Sequence, residues 1–100
     1  MLHVYKSGAK DRNINWELTN EEFLSLVTQN CYYCGEEPYE RPHDTSSHKL
    51  KVMGIDRLNS NLPYSLNNCV PCCTKCNFMK QALSKEEFLG HITKIYKHLY

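Results

Sequence analysis

The sequence has no long apolar run and little net charge, and the first absence excludes a membrane protein. No segment approaches the roughly 18 consecutive apolar residues of a spanning helix, and the mean hydropathy is -0.59. The first ten residues lack the apolar core of a secretory signal. We therefore expect an intracellular protein, in the cytoplasm or at a viral or host nucleoid. A chain of 100 residues allows one small domain, and small domains often add a metal or disulfides to a limited core.

The net charge of +1 does not by itself indicate a nucleic-acid-binding protein, but the charge is unevenly distributed. Residues 13–44 carry a net charge of −6, because seven acidic residues face one arginine. Residues 45–80 carry a net charge of +4, because five basic residues face Asp56 alone. The basic excess therefore surrounds Asp56, where it would attract a phosphate backbone.

Six cysteines in so short a chain indicate either disulfides or a metal site. The lack of a signal sequence and the Cys-x2-Cys spacing favour metal, because four thiolates from two such pairs can close a tetrahedral zinc site. Cys31 and Cys34 form the first pair. Both Cys69/Cys72 and Cys73/Cys76 have the spacing of the second. We choose Cys73 and Cys76, which place the second pair at the turn into a helix, and expect the other two to be small buried hydrophobic residues.

Two capping boxes predict helices that begin after Thr19 and after Ser84. The first helix is expected to run to about residue 29. The second carries apolar residues at helical spacing, which we assign to the core: Phe88, Leu89, Ile92, Ile95, Tyr96 and Leu99.

The remaining pattern predicts short strands and loops around Asp56. Alternation over residues 13–18 predicts a strand, and residues 50–55 predict another that leads into Asp56. Residues 36–48 are expected to form a loop, and residues 59–68 an ordered turn-rich loop. Val70 and Pro71 fit a short edge strand, followed by a helix over about residues 74–83.

Four motifs together resemble the HNH endonuclease family, the ββα-metal nucleases, in a phage-type Asp-Arg variant with zinc-binding cysteine pairs. The motifs are Cys31-x2-Cys34-Gly35, Gly54-Ile55-Asp56-Arg57, Asn68, and Val70-Pro71-Cys72-Cys73-x2-Cys76-Asn77-x2-Lys80. The resemblance implies an α+β fold: a small ββα-metal domain with a structural zinc ion and flanking helices. One nuclease domain would span residues 1–100, with a basic segment, strand and helix over 1–30, a zinc-pinned core over 31–83 and an amphipathic helix over 84–100.

The resemblance also implies a metal-dependent hydrolase that cuts DNA phosphodiester bonds. Asp56 and Asn77 would coordinate a catalytic Mg²⁺ or Mn²⁺ ion, because oxygen ligands suit these cations. Asn68 would hold the loop and orient the residue after Asp56. Lys80 would contact phosphate or cap its helix, and Lys75 would bind nucleic acid together with Arg57 and Lys80. DNA is the expected partner, with a homodimer or a larger protein assembly as a further expectation.

Arg57 departs from the family pattern, which usually has a histidine directly after the aspartate as general base. A guanidinium group stays protonated and cannot accept a proton from water. It can bind the scissile phosphate bidentately and stabilise its developing charge. His48 is our first choice of base, because on a continuous strand it would share a face with Asp56. The other candidates are His43, Tyr39 and Tyr64.

Two further functions fit the same motifs. A catalytically degenerate, zinc-stabilised DNA-binding module would explain why the usual histidine is missing. A zinc-ribbon protein-interaction domain would show no salt-dependent DNA binding. We favour the nuclease, because a module that needs only zinc does not require Asp56 and Asn77 at this spacing.

Overall fold

The computed structural model describes residues 2–40 and 50–100, with the backbone alone for His3 and Val4. The described residues form helices and short strands in this order: α1 (Leu2–Asp11), α2 (Asn20–Val27), β1 (Tyr39–Glu40), β2 (Lys51–Val52), β3 (Gly54–Arg57), β4 (Cys69–Cys72), α3 (Thr74–Lys80) and α4 (Lys85–Leu99). None of the helices in this part of the chain has both the length and the apolar character that a membrane crossing requires.

The centre of the fold is the hairpin of β3 and β4, followed directly by α3. The two strands are antiparallel and pair Asp56 with Val70 and Gly54 with Cys72. Because only Cys73 separates the end of β4 from the start of α3, the three elements form a ββα unit. The predicted α+β class with flanking helices is confirmed.

The predicted strand over residues 50–55 is divided into two strands of different sheets. β2 pairs with β1, whereas β3 pairs with β4, and Met53 separates them. The Met53 amide donates to the Val27 carbonyl oxygen at 2.7 Å, so this residue joins the hairpin to α2 rather than to a sheet. The alternation of side chains therefore does not continue from Asp56 back through β2.

Both predicted capping boxes are confirmed. The Thr19 hydroxyl accepts from the Glu22 amide, and the Glu22 carboxylate accepts from the Thr19 amide. Ser84 and Glu87 make the same reciprocal pair at the start of α4. These bonds satisfy amide donors that the first turn of a helix leaves without intrahelical partners.

The main hydrophobic core lies between α1, α2 and the hairpin. Its buried side chains come from all of these elements and from the loop before β4: Ala9, Leu18, Phe23, Leu26, Val27, Ile55, Tyr64 and Cys69. A second buried cluster contains Met53, Cys72 and three of the paired cysteines. The hairpin lies between the two clusters, which fixes the position of Asp56.

The predicted strand over residues 13–18 is wrong. This segment is irregular, and among the described residues its only strand-like pairing is an isolated bridge between Trp16 and Tyr64. Asn13 has a positive φ of 59°, which turns the chain sharply after α1 and breaks an extended run. The apolar alternation instead reflects side chains such as Trp16 and Leu18 that pack against the main core.

The assignment of the α4 apolar residues to the core is also wrong beyond its first turn. Phe88 is buried and packs edge-on against Tyr33. The other apolar residues of the stripe are exposed, from 38% for Leu89 to 66% for Leu99. The helical periodicity is real, but the helix extends past the body of the described structure.

Candidate active site and cysteine cluster

Four cysteines from the two pairs converge beside the hairpin. The Sγ atoms of Cys31, Cys34, Cys73 and Cys76 all lie within 4.8 Å of one another, and those of Cys34 and Cys73 are 3.6 Å apart. A zinc ion bound at about 2.3 Å by four sulfur atoms requires sulfur separations of about 3.8 Å. The donor set and its spacing therefore fit a tetrahedral zinc ion.

Local backbone geometry creates this cluster. Gly35 has a φ of 79°, which allows the tight turn after Cys34 at no steric cost. Cys73 is the N-cap of α3, and its sulfur accepts from the Cys76 amide at 3.4 Å. The Cys73 amide in turn donates to the sulfur of Cys31 at 3.3 Å. Cys69 and Cys72 are buried outside the group of four.

The surroundings of the cluster shift the pKa of its thiols in different directions. Burial raises the pKa of the Cys31 thiol, but backbone amides of Cys34, Cys73 and Tyr33 donate to it and bring the pKa down to about 7. Burial, followed by hydrogen bonds with the neighbouring thiols of Cys73 and Cys34, raises the pKa of Cys76. Four adjacent thiolates repel one another, and a bound Zn²⁺ removes that repulsion.

Asp56 is held by an ion pair and a tyrosine at the end of the hairpin. Its side chain is buried, and the Lys80 Nζ atom lies 3.1 Å from Oδ2 and 3.2 Å from Oδ1. The Tyr33 hydroxyl donates to Oδ2 at 2.9 Å. Burial, and then the hydrogen bond and negative charge of Asp56, raise the pKa of Tyr33, so this side chain remains a phenol donor. The carboxylate keeps a further lone pair on Oδ1 for a cation.

Asn68 fastens the loop that follows Asp56. Its Oδ1 atom accepts from the Asn59 amide at 3.0 Å, and its Nδ2 atom donates at 3.0 Å to the carbonyl oxygens of Asn59 and Pro63. The Leu58 amide donates to the Asn68 carbonyl oxygen at 2.8 Å. These bonds close residues 58–68 into an ordered loop and fix the chain immediately after Arg57.

The Arg57 guanidinium group is directed by this loop. Its Nη1 atom donates to the carbonyl oxygens of Ser60 at 2.7 Å and Leu62 at 2.9 Å. Its Cζ atom lies 4.9 Å from the centroid of the Tyr64 ring, a cation–π distance. Arg57 is therefore held in one orientation by the loop and by an aromatic ring.

A cleft of about 560 Å³ brings the predicted active-site residues together. Asp56, Arg57, Asn77 and Lys80 all line it. Asp56 and Arg57 come from β3, whereas Asn77 and Lys80 come from α3. Oxygen ligands from a carboxylate and an amide, open to water and substrate on one side, match the preferences of Mg²⁺.

Of the other sequence-predicted residues, Tyr64 also lines this cleft, whereas Lys75 and Tyr39 lie outside it. Lys75 is exposed and lines a separate groove between α3 and α4. Tyr39 lies in that groove too, and its hydroxyl donates to Thr74 Oγ1 at 2.6 Å. Lys80 faces Asp56 and the Arg57 carbonyl oxygen instead of solvent. His43 and His48 fall outside the described residues.

Two contacts of the candidate site, one with Asp56 and one with Tyr64, could not be predicted from the sequence. Tyr33 lies between the cysteines of the first pair, where its neighbour Tyr32 has the same residue type but a half-exposed position. Arg12 follows α1 and lines the cleft through a contact with Tyr64 that spans 52 residues. Neither contact has a local signal, because both depend on the way distant segments pack.

The chain is similar in sequence to a viral protein and in structure to a solved endonuclease. No protein-family model matches the chain. An uncharacterised protein, R423, of Acanthamoeba polyphaga mimivirus is 41% identical over 85 residues, which are 85% of this chain. The chain matches only 14% of the length of that protein.

The structural neighbour is the rare-cutting HNH restriction endonuclease PacI. The superposition has a TM-score of 0.62 and covers 93% of this chain and 73% of the PacI chain, with 23% sequence identity. At this identity the likeness establishes the fold. The chain therefore has the fold of an HNH endonuclease, which confirms the resemblance that its motifs indicate.

Proposed function

We propose that this protein is a metal-dependent endonuclease that hydrolyses phosphodiester bonds in DNA. The observation that carries the proposal is the shared cleft: a carboxylate on β3 and an amide on α3 line it together with a guanidinium group. The likeness to an HNH restriction endonuclease supports the same reaction class. The carboxylate, the amide and the guanidinium group that line the cleft all belong to the ββα unit.

Asp56 and Asn77 would hold a Mg²⁺ or Mn²⁺ ion, which when bound polarises the phosphate and lowers the pKa of water. Arg57 stabilises the negative charge that develops on the phosphate as the bond to the leaving oxygen breaks. Asn68 acts as a positioning residue, because its side chain fixes the loop that directs Arg57.

The proton acceptor is one of the residues predicted from the sequence. Tyr64 lines the cleft, and its hydroxyl accepts a hydrogen bond from the Arg12 guanidinium at 2.6 Å. His48 and His43 remain the other choices. Replacing each residue separately, Tyr64→Phe, His48→Ala and His43→Ala, and measuring the pH profile of cleavage identifies the acceptor.

A zinc ion bound by Cys31, Cys34, Cys73 and Cys76 would fasten the start of α3 to the first cysteine pair. The ion plays no part in hydrolysis, since four sulfur ligands leave no open coordination position. Its role is to hold Asn77, one residue after Cys76, on the same side of the hairpin as Asp56.

Plasmid cleavage tests the proposal. We expect the wild-type protein to nick supercoiled DNA in Mg²⁺ or Mn²⁺, and Asp56→Ala to lose this activity. Asp11→Ala is the matched control, because Asp11 is exposed at the end of α1 and does not line the cleft. Equal zinc content in all three proteins shows that the fold is retained.

Two outcomes would overturn the assignment. Cleavage that survives Asp56→Ala places the reaction elsewhere. DNA binding without cleavage in either metal, unaffected by Asp56→Ala but lost when zinc is chelated, identifies a degenerate DNA-binding module instead.

A further inference from the structure

We propose that Arg12 and Arg57 form a phosphate-binding subsite of the cleft, with Tyr64 between them, that grips the DNA backbone. This inference rests on the proposed nuclease function and deepens it. Arg12 comes from the segment that follows α1 and lies 45 residues before Arg57 in the chain. It brings the N-terminal part of the protein into substrate binding.

The two guanidinium groups meet on one aromatic side chain. The Arg12 Nη2 atom donates to the Tyr64 hydroxyl at 2.6 Å. The Arg57 Cζ atom lies 4.9 Å from the centroid of the same ring. All three side chains line the cleft that contains Asp56 and Asn77.

Tyr64 is a rigid platform for these contacts. Its amide donates to the Asn15 carbonyl oxygen at 3.0 Å, and its own carbonyl oxygen accepts from the Glu17 amide at 2.7 Å. Its ring is buried and lies 5.1 Å from the ring of Trp16. Because the platform is tied to the backbone on both sides, the two cations are positioned before a ligand arrives.

The charges around Tyr64 favour the binding of an anion. In residues 2–40 and 50–100, no carboxylate lies within ion-pair distance of Arg12 or Arg57, and Asp56 is paired with Lys80. Three cationic side chains and one carboxylate line the cleft, a formal charge of +2. Two cations held on one ring repel each other, and an anion between them removes that cost.

Both arginines also keep hydrogen-bond donors for a ligand. Within the described part of the chain, Arg12 uses only Nη2 and Arg57 uses only Nη1 in hydrogen bonds. The remaining guanidinium nitrogen atoms are free to donate. Planar donors of this kind match the oxygen atoms of a phosphate group in a bidentate arrangement.

Fluorescence anisotropy of a labelled DNA duplex tests the subsite. Binding is measured with Ca²⁺ in place of Mg²⁺, at several salt concentrations, for wild type, Arg12→Gln and Tyr64→Phe. Lys10→Gln is the control, because it removes a nearby exposed charge, at the end of α1, that does not line the cleft. Cleavage by Asp56→Ala is measured in parallel.

We expect Arg12→Gln to weaken binding by about tenfold and to reduce the slope of log Kd against log salt by about 1, as for the loss of one phosphate contact. Tyr64→Phe should also weaken binding. The variant that combines Arg12→Gln with Tyr64→Phe should lose less affinity than the two single variants lose together. Lys10→Gln should lose less affinity than Arg12→Gln.

Unchanged affinity and salt slope in Arg12→Gln would overturn the subsite. A loss of cleavage in Asp56→Ala in the same series would then show that the nuclease function stands without it. Cleavage that persists in Asp56→Ala overturns the function itself, and a wild-type protein that binds no DNA overturns both.

Discussion

At the scale of single residues, the most consequential contact is the buried pair of Asp56 and Lys80. Lys80 is 1% exposed and Asp56 is 6% exposed, so both charges have been removed from water. Removing one member of such a pair leaves the other charge buried without a partner. The pair also links β3 to α3, the two elements that carry the proposed metal ligands. Lys80 therefore helps to shape the site even where it makes no contact with DNA.

We predict that Lys80→Met destabilises the metal-free fold by about 3 kcal/mol, because Asp56 loses its counter-charge. We also predict that Mg²⁺ stabilises this variant more than the wild type, since a divalent cation replaces the ammonium group beside the carboxylate. Urea unfolding with and without Mg²⁺ measures both effects.

The double variant Asp56→Asn with Lys80→Met is the control. It contains neither charge, so it should recover part of the lost stability and should not respond to Mg²⁺. An equal response to Mg²⁺ in Lys80→Met and in the double variant would show that the ion does not bind at Asp56.

At the scale of secondary-structure elements, the junction after α3 is strained. Gln81 has φ of 50° and ψ of −126°, a conformation that L side chains rarely adopt. Its amide still donates to the Asn77 carbonyl oxygen at 2.9 Å, so the end of α3 holds this conformation. Gln81 lines the cleft, which places the strain beside Asn77.

We predict that Gln81→Gly raises the free energy of unfolding by about 1 kcal/mol, because glycine adopts this conformation without steric cost. Gln29→Gly makes the same replacement at an exposed position without a positive φ, and it should destabilise or have no effect. Equal changes in the two variants, measured by urea unfolding, would contradict the account of strain.

Elements with local signals could be predicted from the sequence. The capping boxes place the starts of α2 and α4 correctly, because the bonds involved join residues three positions apart. The strand expected over residues 13–18 failed for the opposite reason. Its long-range backbone bonds join Asn15 and Glu17 to Tyr64 in the loop before β4, and nothing in the local pattern indicates such a partner.

The candidate site was likewise predictable only where its residues belong to a local motif. Motif spacing predicted Asp56, Asn68 and Asn77 as site residues. Asp56 and Asn77 line the cleft, and Asn68 holds the loop that follows Arg57. Motif spacing did not identify Tyr33 or Arg12, which reach the site from other segments. The proposed sharing of a face by His48 and Asp56 required a continuous strand, and the chain changes sheets at Met53.

At the scale of the whole molecule, two buried clusters support one hairpin. The main core has apolar side chains from α1 and α2, whereas the second cluster is mostly cysteine. Small side chains such as cysteine contribute less hydrophobic stabilisation than larger apolar ones, and a bound ion would add to it. The apolar stripe of α4 adds little to either cluster beyond Phe88, although its spacing predicted a core helix.

We predict that the protein binds one zinc ion per chain and that chelation lowers its melting temperature. Cys34→Ser should lose zinc, because it removes one of the four sulfur ligands. Cys69→Val is the control, since Cys69 is buried outside the group of four and should leave the zinc content unchanged. Elemental analysis and thermal unfolding report the result. One zinc ion retained in Cys34→Ser would contradict the four-sulfur site.

The proposed metal site of Asp56 and Asn77 is tested most directly by the anomalous diffraction of Mn²⁺ in a crystal of the wild-type protein. We expect a manganese peak in the cleft, about 2.1 Å from a carboxylate oxygen of Asp56 and from the side-chain oxygen of Asn77. A manganese peak away from these two oxygen atoms, or no peak in the cleft at metal concentrations that support cleavage, would contradict it.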